Sequence, residues 1–199
     1  MFRSLRALLL AAVVLCLAIP SASAAPNQNL QRTLGDLWTT VLQTPSPENP
    51  FGGGDDTCIE LSRRIVAPFG PNGADLCTVD RGIRILVTPW TTECSTFEGN
   101  GATEDELRSC ALDADAGVTL ATVTLDGQPV PLAKVQTGLL PIQLPEDNIF
   151  GLTGQDRWGS SVADGWVALL NGLSAGQHTI KLHVEGTITS DVTTTIIVL

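Results

Sequence analysis

The sequence has few of the residues on which common catalytic sites depend. It contains two histidines, His178 and His183. The histidines are five positions apart in one predicted strand, so their side chains point to opposite faces of the sheet and cannot share a site. A Ser-His-Asp triad is therefore poorly supported, and we expect His178 to be a hydrogen-bonded histidine in the core or at its rim.

Basic residues are also scarce. The chain has 11 Lys and Arg against 21 Asp and Glu, which gives a net charge of −10. Because phosphate groups are bound chiefly by Lys and Arg, this balance argues against nucleic acid and anionic membrane surfaces as partners. An acidic surface favours solubility outside the cell, and it is also compatible with cation binding.

Only one long apolar run is present, and it lies near the N-terminus. Arg3 and Arg6 precede the apolar residues 7–19, and small residues follow, as is typical of a secretory signal peptide. We predict a signal peptide over residues 1–24 that includes Cys16, with a mature net charge of −12 once both arginines are removed. No second apolar stretch approaches the roughly 20 residues that span a bilayer. The sequence therefore predicts a secreted or periplasmic protein that does not insert into the membrane after cleavage.

The cysteines lack the Cys-x-x-Cys spacing that is common in zinc sites. Four cysteines remain in the mature chain, and an even number in an exported protein predicts two disulfides. Three pairings are possible, and the order along the chain favours the two local ones, Cys58 with Cys77 and Cys94 with Cys110. Each of these would close a short loop, which stabilises the fold by about 3 kcal/mol in the chain-entropy model.

Two segments have the pattern of helices. Apolar residues between positions 29 and 43 fall on one face, which predicts an amphipathic helix anchored by Trp38. A linker rich in Pro, Gly and Asp follows, so residues 25–57 are interpreted as a helix and linker packed on the main domain. Thr103 and Glu106 match a capping box, which predicts a short inserted helix from position 104 to about 114.

The pattern of the rest of the mature chain predicts β-strands. Residues 164–186 contain two apolar runs on either side of a segment rich in Asn, Gly and Ser, which predicts two antiparallel strands joined by a turn. Asp126 and Gly127 form a strong hairpin-turn signal. About eight strands in all predict a mainly β, single domain over residues 58–199. We expect an antiparallel β-sandwich, either immunoglobulin-like or jelly-roll, and the pattern does not distinguish the two.

Several motifs together resemble a family of uncharacterised exported bacterial proteins. They are the helix with Trp38, the residues 82–89 (Gly-Ile-Arg-Ile-Leu-Val-Thr-Pro), the Glu-Cys-Ser-Thr of 93–96, the Leu-Pro-Glu-Asp-Asn-Ile-Phe-Gly of 144–151 and the Gly-Gln-His-Thr-Ile of 176–180. The chain departs from the family in having Leu86 and Val87 where paired aromatics are usual, and one Trp in its helix. The resemblance implies export and a similar fold, and it transfers no catalytic residue.

Asp and Glu carboxylates are abundant in this chain, and such groups can support metal binding or acid–base catalysis. Seven of them lie between positions 93 and 115: Glu93, Glu98, Glu104, Asp105, Glu106, Asp113 and Asp115. The simplest interpretation is a solvated acidic face. A second is a calcium site, for which Asp113 and Asp115 are the candidate ligands and Ca²⁺ the one cofactor considered. A third is a hydrolase that uses two paired carboxylates, although the sequence singles out no such pair.

The candidate ligand site lies in the loop around residues 147–158. Asp147 and Asn148 stand near Phe150 and Trp158, and polar groups beside aromatic rings in a loop are a usual composition for a ligand site. The leading hypothesis is a secreted, non-enzymatic β-sandwich that binds carbohydrate, another cell-surface ligand or an extracellular protein through this loop. The calcium-stabilised adhesion protein and the carboxylate hydrolase are the alternatives.

Overall fold

A computed structural model describes residues 25–52, 57–71 and 73–199 of the chain. The predicted signal peptide and Cys16 lie outside the described residues, as do parts of the linker and of the turn near position 72. The protein is mainly β: 46% of the described residues lie in strands that form two sheets, and the same part of the chain contains two α-helices. Neither helix in the described part of the chain is long and apolar enough to cross a membrane.

The helices are α1 (Ala25–Gln43) and α2 (Glu104–Asp115). The strands in chain order are β1 (Thr57–Ser62), β2 (Ile65–Phe69), β3 (Leu76–Val79), β4 (Arg84–Ser95), β5 (Val118–Leu125), β6 (Gln128–Pro129), β7 (Ala133–Gln136), β8 (Leu140–Gln143), β9 (Trp158–Leu170), β10 (Gly176–Gly186) and β11 (Ser190–Val198). The first sheet has the order β1-β2-β4-β9-β7, with β8 also paired to β9, and the second has the order β3-β11-β10-β5-β6.

The two sheets pack face to face as a β-sandwich, which confirms the predicted fold class. Their shared core includes Ile85 and Val87 of β4, Ile180 of β10 and Ile196 of β11, all of which are buried. Most strand pairs in the described chain are antiparallel, and the two exceptions are β2 with β4 and β3 with β11. The β2–β4 exception arises because the chain leaves the first sheet after β2, contributes β3 to the second sheet, and then returns to lie beside β2 in the same direction.

The structure corrects the prediction that residues 164–186 form a hairpin. Both runs are strands, but β9 belongs to the first sheet and β10 to the second, so they do not pair with each other. The intervening loop crosses from one sheet to the other. β9 is buried on both of its faces, as its continuous apolar sequence predicts, because the second sheet and α2 cover one side and α1 covers the other.

Helix α1 packs its apolar stripe on the outer face of the first sheet. Leu34, Leu37 and Val41 are buried there, together with the predicted anchor Trp38, whose indole Nε1 donates a hydrogen bond to Thr91 Oγ1 at 3.0 Å. The helix begins four residues before the predicted start at position 29. This difference lies in the polar first turn, where apolar periodicity gives no signal.

Helix α2 is fixed by local chemistry that the sequence predicts correctly. The capping box is present, with Thr103 accepting from the Glu106 backbone N–H and the Glu106 side chain accepting from the Thr103 N–H. Both predicted disulfides are formed, Cys58–Cys77 and Cys94–Cys110. The second attaches α2 to the end of β4, where Leu107 and Ala111 pack against Val162.

The turn between β5 and β6 also forms where the sequence predicts it. Asp126 and Gly127 both have positive φ, 51° and 80°, as a two-residue hairpin turn of the primed class requires. Such backbone is unfavourable for most side chains and tolerable for Asp, while Gly adopts it without strain. The Asp126 carboxylate is thereby held at the edge of the sandwich beside β10.

Candidate functional site

The loop predicted to bind ligand is held together by Asn148. This side chain is 5% exposed, and its amide donates to the carbonyls of Pro145 and Leu152. Its Oδ1 accepts from the backbone N–H groups of Phe150 and Leu152. Because its amide group is engaged with the backbone of its own loop, Asn148 shapes that loop and offers nothing to a ligand.

The other three predicted ligand residues do not converge on one site. Phe150 stacks on Phe97 with ring centroids 5.9 Å apart, so its face is used in packing. Asp147 is exposed, and its carbonyl accepts from the Ser46 N–H. Trp158 is 60% exposed at the start of β9. A hollow of about 240 Å³ lined by Glu146, Thr153, Gly154 and Arg157 lies in the same loop region.

The two predicted calcium ligands also point away from each other. Asp113 and Asp115 are two positions apart in α2, a spacing that places them on different faces of a helix. Asp113 is exposed, whereas Asp115 is buried against the first sheet. No group of three or more Asp, Glu, His or Cys side chains with metal-binding geometry occurs among the described residues.

Asp115 belongs instead to a buried ionic cluster, which we define as Asp115, Lys134 and Asp164. Lys134 Nζ of β7 lies 3.4 Å from Asp115 Oδ2 and 3.3 Å from Asp164 Oδ1. The two carboxylate side chains are 0% and 4% exposed, and the lysine side chain is 37% exposed. The lysine ammonium also lies 4.4 Å above the ring of Trp166, a favourable cation–π geometry.

Asp115 Oδ1 has two further donors from β4. Trp90 Nε1 donates to it at 2.8 Å and Thr92 Oγ1 at 2.7 Å. Burial, followed by the nearby Asp115 carboxyl, raises the pKa of Asp164 to about 6, although Lys134 acts in the opposite direction. Two acids therefore converge here, but Asp115 lies on the buried face of α2, Asp164 lies in β9, and the two share one lysine. Two buried carboxylates that share one lysine fit a structural role better than hydrolysis of a polymeric substrate.

An aromatic cleft lies at one end of the sandwich. We define the aromatic cleft by Trp38, Phe51 and Phe69 on one side and by Trp90 and Ile188 on the other. Its volume is about 260 Å³. Phe51 stacks on Trp38 with centroids 6.0 Å apart, and Phe69 meets Trp38 edge to face at 5.5 Å.

The lining of the aromatic cleft carries no charge among the described residues. It includes three prolines and the hydroxyls of Thr88, Thr91 and Ser190. Phe51 and Ile188 are 46% and 50% exposed, so apolar surface is open to solvent at its mouth. A second hollow of about 150 Å³ shares Trp90 and Ile188 with the cleft, which extends the apolar surface toward α2.

Trp90 connects the cleft with the ionic cluster. Its ring lines the aromatic cleft, and its Nε1 donates to the buried carboxylate of Asp115. Trp90 lies within β4. Sequence reasoning missed the contributions of Phe51 and Lys134. The one available signal was the placement of Phe51 between Pro50 and Gly52, which indicates a ring in a constrained segment.

His178 takes part in an arrangement that resembles a catalytic triad. Its Nδ1 lies 2.7 Å from Asp126 Oδ2, and its Nε2 lies 3.3 Å from Ser174 Oγ. However, Nε2 is closer, at 2.9 Å, to the Ser174 carbonyl oxygen, to which it can only donate. Hydrogen bonds to Asp126 and to the Ser174 carbonyl raise the pKa of His178. An imidazole that donates through both nitrogens has no lone pair with which to activate the serine.

We therefore expect Ser174 to be unreactive toward an activated phosphonate at neutral pH. The measurement is the intact mass of the mature protein after incubation with a fluorophosphonate probe, with a known serine hydrolase labelled in parallel. The Ser174→Ala variant provides the matched control. Stoichiometric labelling that disappears in Ser174→Ala would show that His178 does act as a base.

Comparisons with known proteins add little to this description. No family model matches the chain, and the curated proteins contain no significant match. The solution structure of amebosin is 12% identical with a TM-score of 0.28, over 69% of this chain and 100% of that one. The crystal structure of a cysteine protease inhibitor from Entamoeba histolytica is 12% identical with a TM-score of 0.29, over 68% and 96%. At these scores neither likeness supports an argument, and the resemblance to an exported bacterial family stays a prediction.

Proposed function

We propose that this chain is an exported, non-enzymatic binding protein that takes an uncharged, largely apolar group of its ligand into the aromatic cleft. The observation that carries the proposal is Phe51, a half-exposed ring that stacks on Trp38 at the wall of a concave apolar surface. Exposed aromatic surface in a concavity is the usual composition of a small-ligand site.

The size of the cleft limits the ligand group. An apolar cavity of about 150 Å³ can hold benzene, and sites for drug-sized ligands begin near 300 Å³. The aromatic cleft, at about 260 Å³, lies between these sizes. A bicyclic ring or a short branched chain fits it, and the threonine and serine hydroxyls can orient one polar atom of such a group. Among the described residues, the lining of the cleft offers no charged partner for a carboxylate or phosphate.

Export is part of the proposal and rests on separate features. The two disulfides suit an oxidising compartment, and the predicted leader supplies a route to it. The predicted mature charge of −12 disfavours phosphate-rich partners such as nucleic acid. We therefore seek the ligand among extracellular molecules or proteins.

Carbohydrate binding is a second candidate, and a different residue favours it. Trp158 exposes 60% of its surface, more than the half-exposed Phe51, and a polar hollow that includes Glu146 and Arg157 lies in the same loop region. Sugars stack their apolar faces on such rings and hydrogen-bond to polar neighbours. This candidate keeps the predicted loop as the site, with Trp158 in place of the buried Asn148.

Binding of indole tests the leading proposal. We expect saturation-transfer NMR to detect indole on the wild-type protein, and we expect Phe51→Ala to weaken its affinity about fivefold, because a lost ring contact is worth on the order of 1 kcal/mol. Trp158→Ala is the matched control, since it removes an exposed aromatic ring elsewhere and should leave indole affinity unchanged.

The same experiment separates the two candidates. A panel of neutral oligosaccharides that binds the wild type, loses affinity in Trp158→Ala and keeps it in Phe51→Ala would favour the carbohydrate site. Indole binding that is absent, or unchanged by Phe51→Ala, would remove the aromatic cleft as the ligand site. Both rings are exposed, so both variants are expected to fold.

A further inference from the structure

The ionic cluster holds the amine of a lysine against two carboxyl groups on one face of the first sheet. Strands β4, β9 and β7 lie side by side there, and the residues in register across them are Trp90, Trp166 and Lys134 in one row and Thr92, Asp164 and Gln136 in the next. Side chains in register share a face of the sheet. Asp115, the last residue of α2, completes the cluster from the helix that packs on this face. Four elements of regular structure therefore fix the three reactive groups.

The amine of Lys134 is within reach of the Asp115 carboxyl. Its Nζ lies 3.4 Å from Asp115 Oδ2, and the carboxyl carbon Cγ is one bond beyond that oxygen. The lysine side chain is 37% exposed and has room to turn toward Cγ, whereas the carboxylate side chain is 0% exposed and is shielded from water. Two groups held in this way react as if at a very high concentration. The site therefore removes much of the entropic cost of joining an amine to an acid.

The other oxygen of Asp115 lies where a negative charge would be stabilised. Trp90 Nε1 donates to Oδ1 at 2.8 Å, and Thr92 Oγ1 donates to it at 2.7 Å. When an amine attacks a carboxyl group, one oxygen becomes an oxyanion, and fixed donors in a buried site stabilise that charge. Asp115 is therefore activated as an electrophile, and its Oδ2, which faces the amine, is the oxygen that can leave.

Asp164 is the second carboxyl group beside the amine, and it can carry protons. Its Oδ1 lies 3.3 Å from Lys134 Nζ, and its side chain is 4% exposed. Burial, together with the Asp115 carboxyl, raises the pKa of Asp164 to about 6 against the effect of Lys134. Near neutral pH, a carboxyl group with such a pKa accepts and returns a proton more readily than an ordinary aspartate does.

We propose that Lys134 and Asp115 condense to form an intramolecular amide bond, and that Asp164 transfers the protons of this reaction. The cluster supplies a nucleophile, an activated carboxyl group and an acid–base group within one buried site. The bond is a modification of the chain itself, and it does not depend on a ligand in the aromatic cleft.

The atoms and charges of this step balance without a further reactant. The Asp164 carboxylate takes one proton from the Lys134 ammonium, and the neutral amine then attacks Cγ of Asp115. The N–C bond forms, the Cγ–Oδ2 bond breaks, and Oδ2 leaves as water with two of the ammonium protons, each passed on by Asp164. The third proton stays on the amide nitrogen, and Asp164 ends in the state in which it began. An ammonium and a carboxylate are thereby converted into a neutral amide and one water.

The buried site favours the product but slows its formation. The amide removes two opposite charges from a buried site, where each is costly to desolvate. Its carbonyl keeps the two donors on Oδ1, and its N–H can donate to Asp164. However, the ring of Trp166 stabilises the charged lysine, so the first proton transfer is uphill. Freshly prepared protein therefore holds the ionic cluster, and the amide accumulates with time.

The bond would attach the end of α2 permanently to β7, which lies at an edge of the first sheet. Helix α2 is also attached to β4 by the Cys94–Cys110 disulfide. An amide resists reducing agents, so the helix would stay attached to the sheet even where the disulfide is reduced. A permanent link of this kind suits a protein that is predicted to act outside the cell.

Mass spectrometry of the folded protein during storage tests the proposal. We expect the mature, disulfide-bonded chain to lose the mass of one water over hours to days. After reduction, trypsin should no longer cleave after Lys134, because an acylated lysine carries no charge. Chymotrypsin cleaves at leucines between the two positions, and it should release a branched peptide that joins the segment of Asp115 to the segment of Lys134.

The branched peptide distinguishes the amide from another loss of water. An Asp-Gly pair such as Asp164 and Gly165 can close to a succinimide, which has the same mass change but joins no second segment. A wild-type chain that keeps its full mass, or whose loss of water is confined to one unbranched peptide, would overturn the proposal. A branch from Lys134 to Asp164 would overturn the assignment of Asp115 as the electrophile.

Two variants test the assigned roles. Asp164→Asn keeps the shape of the side chain but cannot carry protons, so this chain should keep its full mass. Thr92→Val removes one donor to Asp115 and should slow bond formation about a hundredfold. Asp113→Asn, on the exposed face of α2, is the matched control and should form the bond at the wild-type rate. A wild-type rate in Asp164→Asn would contradict the proton transfer, and circular dichroism shows whether each variant is folded. The peptide map of the wild type tests the bond itself without any variant.

Discussion

Replacing Lys134 with methionine is expected to lower the free energy of unfolding by about 3 kcal/mol at neutral pH. The variant keeps the length of the side chain and its packing on Trp166, but it leaves Asp115 and Asp164 buried without a cation. We choose the lower end of the range for broken buried pairs because the lysine side chain is 37% exposed and water can partly replace it. Urea denaturation followed by far-UV circular dichroism measures the loss.

The loss should be smaller in mildly acidic solution. The pKa of Asp164 is raised to about 6 in the folded protein, above its ordinary value of 3.8 in the unfolded chain. As the pH rises through this interval, the unfolded chain ionises first, so the folded state loses stability relative to it. Below this interval Asp164 carries a proton and needs no cation. The difference between the wild type and Lys134→Met should therefore grow as the pH increases from 4 toward 7.

Lys181→Met is the matched control for this experiment. Lys181 is exposed on β10 and belongs to none of the ion pairs among the described residues. Its replacement should change the stability by no more than about 0.5 kcal/mol at either pH. Equal stabilities of Lys134→Met and Lys181→Met would mean that the ionic cluster contributes nothing to the folded state.

Removal of the Cys94–Cys110 disulfide is expected to cost a similar amount, about 3 kcal/mol for a loop of this size. The bond joins β4 to α2 over a separation of 16 residues and is packed against Leu107 and Val162. The double variant Cys94→Ala and Cys110→Ala also frees the helix that carries Asp115, so we expect a loss of helical ellipticity before the sheets unfold. Urea titration at 222 nm and by tryptophan fluorescence distinguishes these two steps.

The other disulfide supplies the control. Cys58 and Cys77 are 19 residues apart, so the entropic contribution of their bond should be nearly the same. Their double replacement by alanine should lower the stability without separating the two signals, because this bond joins β1 to β3 and leaves α2 attached. Coincident transitions in the Cys94 and Cys110 variant would contradict the expected early release of α2.

The features that the sequence predicts correctly are those set by neighbouring residues. The capping box of Thr103 and Glu106, the Asp126–Gly127 turn and the two local disulfides each depend on groups fewer than 20 positions apart. The pairing of β9, in contrast, depends on residues that are far apart in the sequence. Its continuous apolar sequence indicates a buried strand, but the choice between β10 and β4 as its partner is made by the packing of the whole sandwich.

The candidate sites were also hard to predict, because they are formed by residues that are far apart in the sequence. A burial pattern indicates which residues lie inside, yet it does not show that Asp115 and Asp164, 49 positions apart, meet one lysine of a third element. Phe51 lies in a segment rich in Pro and Gly, where periodicity gives no information. Asn148 was predicted to bind a ligand because polar loop residues often do, and the hydrogen bonds that occupy it depend on the exact path of the loop.

The position of β9 in the first sheet sets an order of events for folding. β4 ends at residue 95, but the strand that pairs with it along most of its length begins at residue 158. The N-terminal strands emerge first during synthesis. Their apolar faces therefore stay uncovered until nearly the whole chain has been made and β9 can pair with β4. Pairings this distant form slowly. A chaperone that keeps the chain unfolded until β9 has been made would suit this topology, and it would also suit passage through a translocation channel.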